Sequence, residues 1–247
     1  EMGWSFTRGG VPPEPGRGLA AASGSGSVDR AAPGNAWALS MGFALEQVER
    51  LSVLTLADVP AARLAALEAE ASLASSQYEV VRWAAGAPGE WATDAAGLVG
   101  RMSTDAPSAG LHLGVQQWDA DRLRTAERSS LARGERWVTA AAAERASGRL
   151  VALTALYWRA ARPAGVWQQI TLVSPEHRGH RLGLRLKAAN LAFLREQNPD
   201  AVRVSTWNAV ENGPMLAIND LLGFRTFGFE GAWQKRTDAG EAAGAGG

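Results

Sequence analysis

The segment VSPEHRGHRLGLRLK, residues 173–187, constrains the fold of this chain more than any other part of the sequence. An apolar strand pattern precedes it and a helix pattern begins near Leu182, so its loop joins a strand to a helix. The first amides of such a helix have no internal partners and lie at the positive end of the helix dipole. Gly179 and Gly183 let a ligand approach the backbone closely. The pattern predicts a site for a phosphate or pyrophosphate.

Cationic side chains in the same segment favour an anionic ligand. They are Arg178, Arg181, Arg185 and Lys187. The chain has no G-x-x-x-x-G-K-[ST] sequence, which argues against a P-loop nucleotide hydrolase, and no G-x-G-x-x-G lies here to indicate a dinucleotide fold. Because 25 Lys and Arg balance 25 Asp and Glu, the overall charge gives no reason to expect nucleic acid or an anionic membrane as a partner.

The order of elements around the loop predicts a mixed α/β domain. Strands are expected at 136–144, 150–158, 166–173, 201–207 and 224–235. Helices are expected at 35–42, 60–74, 119–133, 182–197 and 214–222, with Asp119 and Asn212 as start signals and Gly223 as a stop signal. Between Tyr78 and Gly110 the pattern is weaker and indicates a helix that ends near Asp105.

Composition sets expectations for the two ends of the chain and for its location. Residues 1–34 are dominated by Gly, Pro, Ser and Ala, which predicts a flexible lead-in, and 238–247 are expected to be a disordered tail. The absence of cysteine excludes disulfides, thiolate metal sites and a cysteine nucleophile. Because no stretch approaches 20 apolar residues and no signal pattern opens the chain, we expect a soluble, cytoplasmic protein.

The loop resembles a known family motif. Residues 178–183, RGHRLG, resemble motif A of the GNAT acyltransferases, R-x-x-G-x-G/A, with Arg181 where a glycine is usual. Downstream, VRVSTWN and ENGPMLAINDLLGF resemble motif B of the same family. The resemblance covers residues 78–236 and is most specific at 166–229. It implies a GNAT-type mixed central sheet flanked by helices, and transfer of an acetyl or another short acyl group from acyl-CoA to a primary amine by direct attack.

The resemblance also implies which residues hold acetyl-CoA, or another acyl-CoA, as the co-substrate. Backbone groups of Leu172 and Val173 would pair with the pantetheine arm. Asn208, Asn212 and Met215 would flank the pantetheine and the thioester. The amides that would hold the pyrophosphate are those of Arg178, Gly179, His180, Arg181, Leu182, Gly183 and Leu184.

Catalytic residues are less clearly implied by the resemblance. The family's usual tyrosine acid lies four residues before Gly-Phe of motif B, and Asn219 occupies that position here. Asn219 can donate a hydrogen bond to a thiolate but cannot act as an ordinary acid. The glutamate that is frequent on the strand before motif A is replaced by Gln168 and Gln169. Glu176 and Glu211 are the nearest carboxylates in sequence and therefore the candidate bases.

Several alternatives stay open at this point. A catalytically silent acyl-CoA-binding module or sensor would keep the loop without turnover, and a scaffold domain would keep only the fold. His177 and His180 are three residues apart, but no third ligand is near in sequence, so we expect no metal. The acceptor is expected to be an amine-bearing small molecule, with aminoglycoside-like compounds, peptide N-termini and lysines as open alternatives. Residues 78–130 would shape the acceptor pocket, and the protein is expected to be a monomer or homodimer.

Residues 35–57 repeat the layout of the C-terminal motif: asparagine, a short apolar helix, Gly-Phe, then a strand. In tandem GNAT proteins two copies of the fold follow one another. We therefore interpret 35–57 as the remnant of an N-terminal GNAT-like copy, packed against a GNAT acyltransferase domain at 58–237.

Overall fold

A computed structural model of the protein describes residues 2–9, 13, 16–105 and 117–236. The strands are β1 (Met2–Gly9), β2 (Gly18–Ala20), β3 (Ser27–Asp29), β4 (Ala44–Thr55), β5 (Tyr78–Ala84), β6 (Glu135–Glu144), β7 (Leu150–Arg159), β8 (Arg162–Val173), β9 (Arg203–Ala209) and β10 (Arg225–Arg236). The α-helices are α1 (Pro33–Ser40), α2 (Ala61–Leu73), α3 (Ala92–Asp105), α4 (Ala120–Ala132), α5 (Leu182–Gln197) and α6 (Gly213–Leu222).

Eight of these strands form one mixed sheet, in the order β1-β10-β4-β9-β8-β7-β6-β5. All neighbours are antiparallel except β8 and β9, which are parallel and joined by α5. A parallel pair needs a crossover connection, and the 16-residue helix α5 supplies it. The mixed α/β architecture predicted from the sequence is confirmed.

Helices cover both faces of the sheet. On one face α5 buries Leu184, Leu191 and Leu194 against Leu156 and other side chains of the central strands. On the other face α3 and α4 cover a cluster that includes Leu153 of β7 and Ile170 and Leu172 of β8. Because side chains alternate along a strand, neighbouring residues of β7 and β8 serve different faces. For the described ranges, no helix is both long and apolar enough to cross a bilayer.

Most predicted helices and strands are confirmed, and their capping follows the sequence signals. The side chain of Asp119 accepts a hydrogen bond from the amide of Arg122 at the start of α4. Asn212 does the same for Met215 at the start of α6, which ends at Gly223 in the left-handed region. The weakly patterned stretch after Tyr78 contains a strand, β5, before α3. The predicted tail at 238–247 lies outside the described residues.

The described part of residues 1–34 differs from the flexible lead-in that the composition of this segment predicts. β1 pairs with β10 along the edge of the sheet, and β2 and β3 form a small hairpin. Val28 of β3 is buried with Val48 and Trp233. This segment contains few apolar residues, which is why its composition predicts flexibility. The neighbouring edge of the sheet supplies the hydrogen bonds and apolar contacts that order it, and composition alone does not show this.

The packing of this hairpin leads to a stability prediction. Gly26 has φ +78°, and a Cβ added to it would lie 2.8 Å from Cγ2 of Val210 and 3.0 Å from Cβ of Val48. We expect Gly26→Ala to lower the free energy of unfolding by about 2–4 kcal/mol, through backbone strain and overpacking. Gly24→Ala is the control, since Gly24 has φ +76° but nothing within 4 Å, and should cost about 1 kcal/mol. Urea unfolding measures both. Equal losses would contradict the described packing.

Candidate functional site

A cleft opens in the middle of the sheet between β8 and β9. Their residue pairs are Gly165↔Arg203, Val166↔Val204 and Trp167↔Ser205. Beyond these pairs, the described parts of β8 and β9 share no further pairing, so the strands separate toward their carboxyl ends. The backbone edge of β8 at Leu172 and Val173 therefore faces this cleft without a neighbouring strand. That edge can pair with an extended ligand as an added strand would.

A bulge in β8 lies at the point where the strands separate. The register between β7 and β8 shifts between Ala155 and Leu156, which leaves Gln169 as an extra residue on β8. Nε2 of Gln168 donates to Oγ1 of Thr154 (3.0 Å) and to the carbonyl oxygens of Ala155 (2.7 Å) and Ile170 (2.8 Å). Gln168 is thus a structural residue of the bulge, while Gln169 is exposed.

The loop after β8 presents a run of amides to the end of the cleft. A short 3₁₀ turn, Pro175–His177, leads to Gly179 (φ +85°) and Arg181 (φ +56°), and α5 begins at Leu182. Within the described structure, the backbone amides of residues 179–184 donate no hydrogen bond to another protein group, and the next amide, that of Arg185, donates to the carbonyl of Arg181 (3.1 Å). Such a run at a helix N-terminus fits a pyrophosphate.

Arginine side chains hold this loop in place. Nε of Arg178 donates to the carbonyl of Val173 (3.1 Å), and Nη1 of Arg181 forms an ion pair with Glu70 of α2 (2.7 Å). Nη1 of Arg185 donates to the carbonyl of Ser75 (2.9 Å). None of these contacts uses the backbone amides of residues 179–184, so the side chains position the loop and also make it electropositive.

Lys187, counted with these cations from the sequence, lies elsewhere, and that prediction is wrong. Its side chain is 2% exposed, and Nζ lies 5.4 Å from the ring centroid of Phe224. The position is four residues, or about one turn, beyond Gly183 on the face of α5 that packs in the core. Burial lowers the pKa of Lys187 from 10.5 to about 7. Lys187 does not contribute to the loop.

The two histidines of the loop contact the start of β5. Nδ1 of His177 lies 2.9 Å from the hydroxyl of Tyr78, and Nδ1 of His180 lies 3.3 Å from Nε2 of Gln77. Among the described residues, no group of three or more His, Cys, Asp or Glu side chains could hold a metal ion.

The motif B residues form the other wall of the cleft. Nδ2 of Asn219 donates to Oδ1 of Asn208 at 2.8 Å, which joins α6 to the end of β9. Asn219 is fully buried, and its Oδ1 has no hydrogen-bond partner within the described structure. Oδ1 of Asn212 caps α6, and Met215 is half-buried in its first turn.

Glu211 lies in a group of carboxylates that the sequence analysis did not anticipate. Its Oε1 accepts a hydrogen bond from Nε2 of Gln47 (2.7 Å), whereas its Oε2 is buried and lacks a partner among the described residues. Glu49, two residues beyond Gln47 on β4, is paired in register with Ala209 at the end of β9. Burial raises the pKa of Glu49, and the nearby charges of Glu230 and Glu211 raise it further.

Glu49 lies on the face of the sheet opposite to α5 and α6. Its neighbour Arg50 forms an ion pair with Asp220 of α6 (2.7 Å), so the side chain of Glu49 points to the other face. The sequence carries no clear signal for this role, because β4 also contains Glu46 and Arg50, and the register of Glu49 with β9 could not be read from it. Glu176, the third carboxylate considered, is exposed and lies 4.0 Å from Arg101 of α3, so it shares no partner with Glu211.

Comparison with known proteins shows which fold this site belongs to. No family model and no curated protein matches the sequence. Among solved structures, a tandem GNAT protein from the clavulanic acid biosynthesis pathway matches with a TM-score of 0.68 and 25% identity, over 98% of this chain and 65% of that one. The chain has the GNAT fold. Its cleft, bulge and amide loop therefore lie in the sheet and helices of that fold.

More distant structures share the GNAT fold alone. A GCN5-related N-acetyltransferase from Sphaerobacter thermophilus matches with a TM-score of 0.50 and 14% identity, over 81% of this chain and 55% of that one. A GCN5-related N-acetyltransferase-like protein from Streptococcus suis gives 0.50 and 12%, over 82% and 67%. The chain thus spans less than two thirds of the tandem GNAT protein and little more than half of the Sphaerobacter enzyme.

Proposed function

We propose that this protein is an N-acyltransferase that moves an acetyl or other short acyl group from acyl-CoA to a primary amine. The observation that carries the proposal is the run of backbone amides at 179–184. Within the described structure they donate no hydrogen bond to another protein group, and they lie at the end of the cleft between β8 and β9. Amides at a helix N-terminus suit a diphosphate, and the free edge of β8 suits the amide-containing pantetheine arm.

The proposed contacts use the residues that the sequence indicated. The amides of residues 179–184 hold the pyrophosphate, and the backbone of Leu172 and Val173 pairs with the pantetheine. The amide of Arg178, which the sequence also indicated, donates to the carbonyl of Pro175 (3.2 Å) and is not part of this set. Asn208, Asn212 and Met215 flank the thioester from the opposite wall. In the reaction the amine nitrogen attacks the thioester carbonyl, a C–N bond forms, the C–S bond breaks, and the thiolate takes up a proton.

We propose Glu49 as the group that accepts the proton of the attacking amine. A carboxylate with a raised pKa is a better proton acceptor than an ordinary one, and the pKa of Glu49 is raised. Glu211 acts beside it, because its negative charge helps to raise that pKa. Glu49 of β4 is paired with Ala209, the last residue of β9, and Glu211 follows two residues later. Both carboxylates therefore lie next to the cleft.

This assignment predicts two different effects on the pH profile. Glu49→Gln should lower kcat about 100-fold at neutral pH, because the proton acceptor is lost, while acetyl-CoA affinity stays the same. Glu211→Gln should move the acidic limb of the profile to lower pH, because removing a negative neighbour lowers the pKa of Glu49. The measurement is thiol release with an amine found by an acceptor screen.

Glu46→Gln, on the same strand, is the control and should leave the profile unchanged. An unchanged kcat in Glu49→Gln would remove Glu49 as the base and leave the acyl-transfer proposal to be judged on binding and turnover.

A catalytically silent acyl-CoA-binding module is the second candidate. The observation in its favour is Asn219, which replaces the family's tyrosine and whose amide already donates to Asn208 inside the fold. This candidate predicts that acetyl-CoA binds but that no amine causes release of CoA thiol. Turnover with any amine above the hydrolysis background would exclude it.

We also propose that residues 35–57 are the remnant of an N-terminal GNAT-like copy, and that 58–237 form the acyltransferase domain. In support, α1 ends at Ser40 and is followed by Gly42 (φ +76°), Phe43 and β4. In the same way α6 ends at Leu222 and is followed by Gly223 (φ +98°), Phe224 and β10. β4 and β10 are neighbours in the sheet.

A further inference from the structure

A cavity of about 730 Å³ lies on the face of the sheet opposite to α5. It is lined by residues of α3 and α4, of strands β6, β7 and β8 and of the segments next to them, and Leu123 and Ile170 are part of its apolar lining. A volume of this size suits a small molecule. Its lining residues indicate what kind of molecule it binds.

The floor of the cavity is aromatic. The rings of Tyr157 and Trp167, both in the lining, are stacked with their centroids 6.1 Å apart, and Trp137 continues the stack behind Tyr157 at 5.3 Å. Trp118 adds a further ring to the lining, with the guanidinium of Arg122 at 4.6 Å from its centroid. Tyr157 lies between Trp137 and Trp167, and Arg122 lies over Trp118, so the ring face left for a further cation is the side of Trp167 that turns away from Tyr157.

One carboxylate in the lining is available to a ligand. Oε1 of Glu127 accepts a hydrogen bond from the amide of Ala87 (2.9 Å), and the charge of Arg124 acts on the same carboxylate. Within the described structure, Oε2 of Glu127 makes no hydrogen bond. The other carboxylate, Glu135, already lies 3.3 Å from Nη2 of Arg133. The charges of Glu127 and Glu135 both add to the effect of burial in raising the pKa of Tyr157, so they lie close to the aromatic floor.

The cavity reaches the cleft at the bulge of β8. Trp167, Gln169 and Ile170 all line it, and Trp167 is the last residue of β8 paired with β9. An acceptor in the cavity would thus present an amine where β8 leaves β9, which is the inner end of the cleft. Glu49 lies on the same face of the sheet.

We infer that the acceptor is a small dibasic molecule, an amine that carries a second cationic group. This inference rests on acyl transfer as the proposed function. The reacting amine reaches the bulge at Gln169 and Ile170, while the second cation is held by Glu127 at the aromatic floor, beside Trp167. Recognition of the second cation distinguishes such an acceptor from a monoamine of the same length.

The test compares 1,5-diaminopentane with 5-aminopentan-1-ol, which has nearly the same size but one cation fewer. We expect the wild-type protein to show a KM at least 10-fold lower for the diamine. Glu127→Gln keeps an acceptor oxygen for the amide of Ala87, so it should fold normally. It should remove the preference by raising KM for the diamine, with kcat and the KM of the amino alcohol little changed. Glu196→Gln, exposed on α5, is the control.

Binding measured without turnover separates this inference from the proposed function. Each compound is titrated into the wild-type protein and into Glu127→Gln in the absence of acetyl-CoA. Binding is followed by the change in tryptophan fluorescence. If no amine is acylated but the diamine binds and Glu127→Gln abolishes binding, acyl transfer fails and the cation site stands. If amines are acylated with equal KM for the two compounds, or if Glu127→Gln keeps the preference, the inference is overturned and acyl transfer stands.

Discussion

Replacing Lys187 with methionine raises the free energy of unfolding at pH 7 by about 3 kcal/mol, which corresponds to about 6–12 °C in melting temperature for a chain of this size. Lys187 is 2% exposed, and its pKa falls from 10.5 to about 7 on burial. In the unfolded chain the ammonium of Lys187 is hydrated at pH 7. Folding either buries the charged ammonium or removes its proton, and both cost free energy. Methionine has a similar shape and avoids that cost.

The sign of the pH dependence makes this prediction specific. Between pH 7 and 10.5 the unfolded chain holds a proton on Lys187 that the folded protein has lost, so wild-type stability rises with pH over that range. The gain from Lys187→Met should therefore be largest at pH 7 and below, and should shrink toward pH 10. Urea unfolding at pH 7, 8, 9 and 10 measures it.

Lys187→Arg is the matched comparison, because a guanidinium does not lose its proton in this range. We expect it to destabilise the protein at all of these pH values. A methionine variant that is less stable than wild type, or a gain that stays constant with pH, would show that the lysine is not buried as described.

A carboxylate placed in the amide loop should abolish acetyl-CoA binding. Gly179 has φ +85° and nothing within 4 Å of an added Cβ. Asp and Asn tolerate positive φ better than other residues and have the same shape. We expect Gly179→Asp to bind acetyl-CoA about 100-fold more weakly than Gly179→Asn, because the carboxylate repels the pyrophosphate.

The two Gly179 variants share the same backbone strain, so their difference in affinity reports charge alone. Their melting temperatures in the absence of ligand should agree closely. Equal affinities in the two variants, measured by calorimetry, would mean that the pyrophosphate is held elsewhere.

The sequence predicted the local parts of this structure well. The strand, loop and helix around Gly179 and the capped helix α6 follow from short-range signals: glycines, caps and apolar periodicity. The GNAT fold was predicted from two motifs in the correct order. Positions 179–184 were predicted as a pyrophosphate site, and that part of the assignment stays a proposal.

The features missed by the sequence analysis depend on contacts between distant segments. β4 lies between β9 and β10, and this register alone brings Glu49 beside Ala209 and Glu211. Lys187 was counted as a ligand cation because it follows Arg181 and Arg185 in the same segment, although its position on α5 turns it into the core. β1 escaped detection because its partner, β10, lies far along the chain. The hairpin of β2 and β3 escaped detection because Trp233, which packs in the same cluster as Val28, is equally distant in sequence.

Calorimetric titration of the intact protein with acetyl-CoA tests the central claim most directly. The amide loop and the cleft predict saturable binding with a dissociation constant in the micromolar range and a rise in melting temperature. Absence of both heat and thermal shift at millimolar acetyl-CoA would contradict the claim, leaving a GNAT fold that serves another purpose.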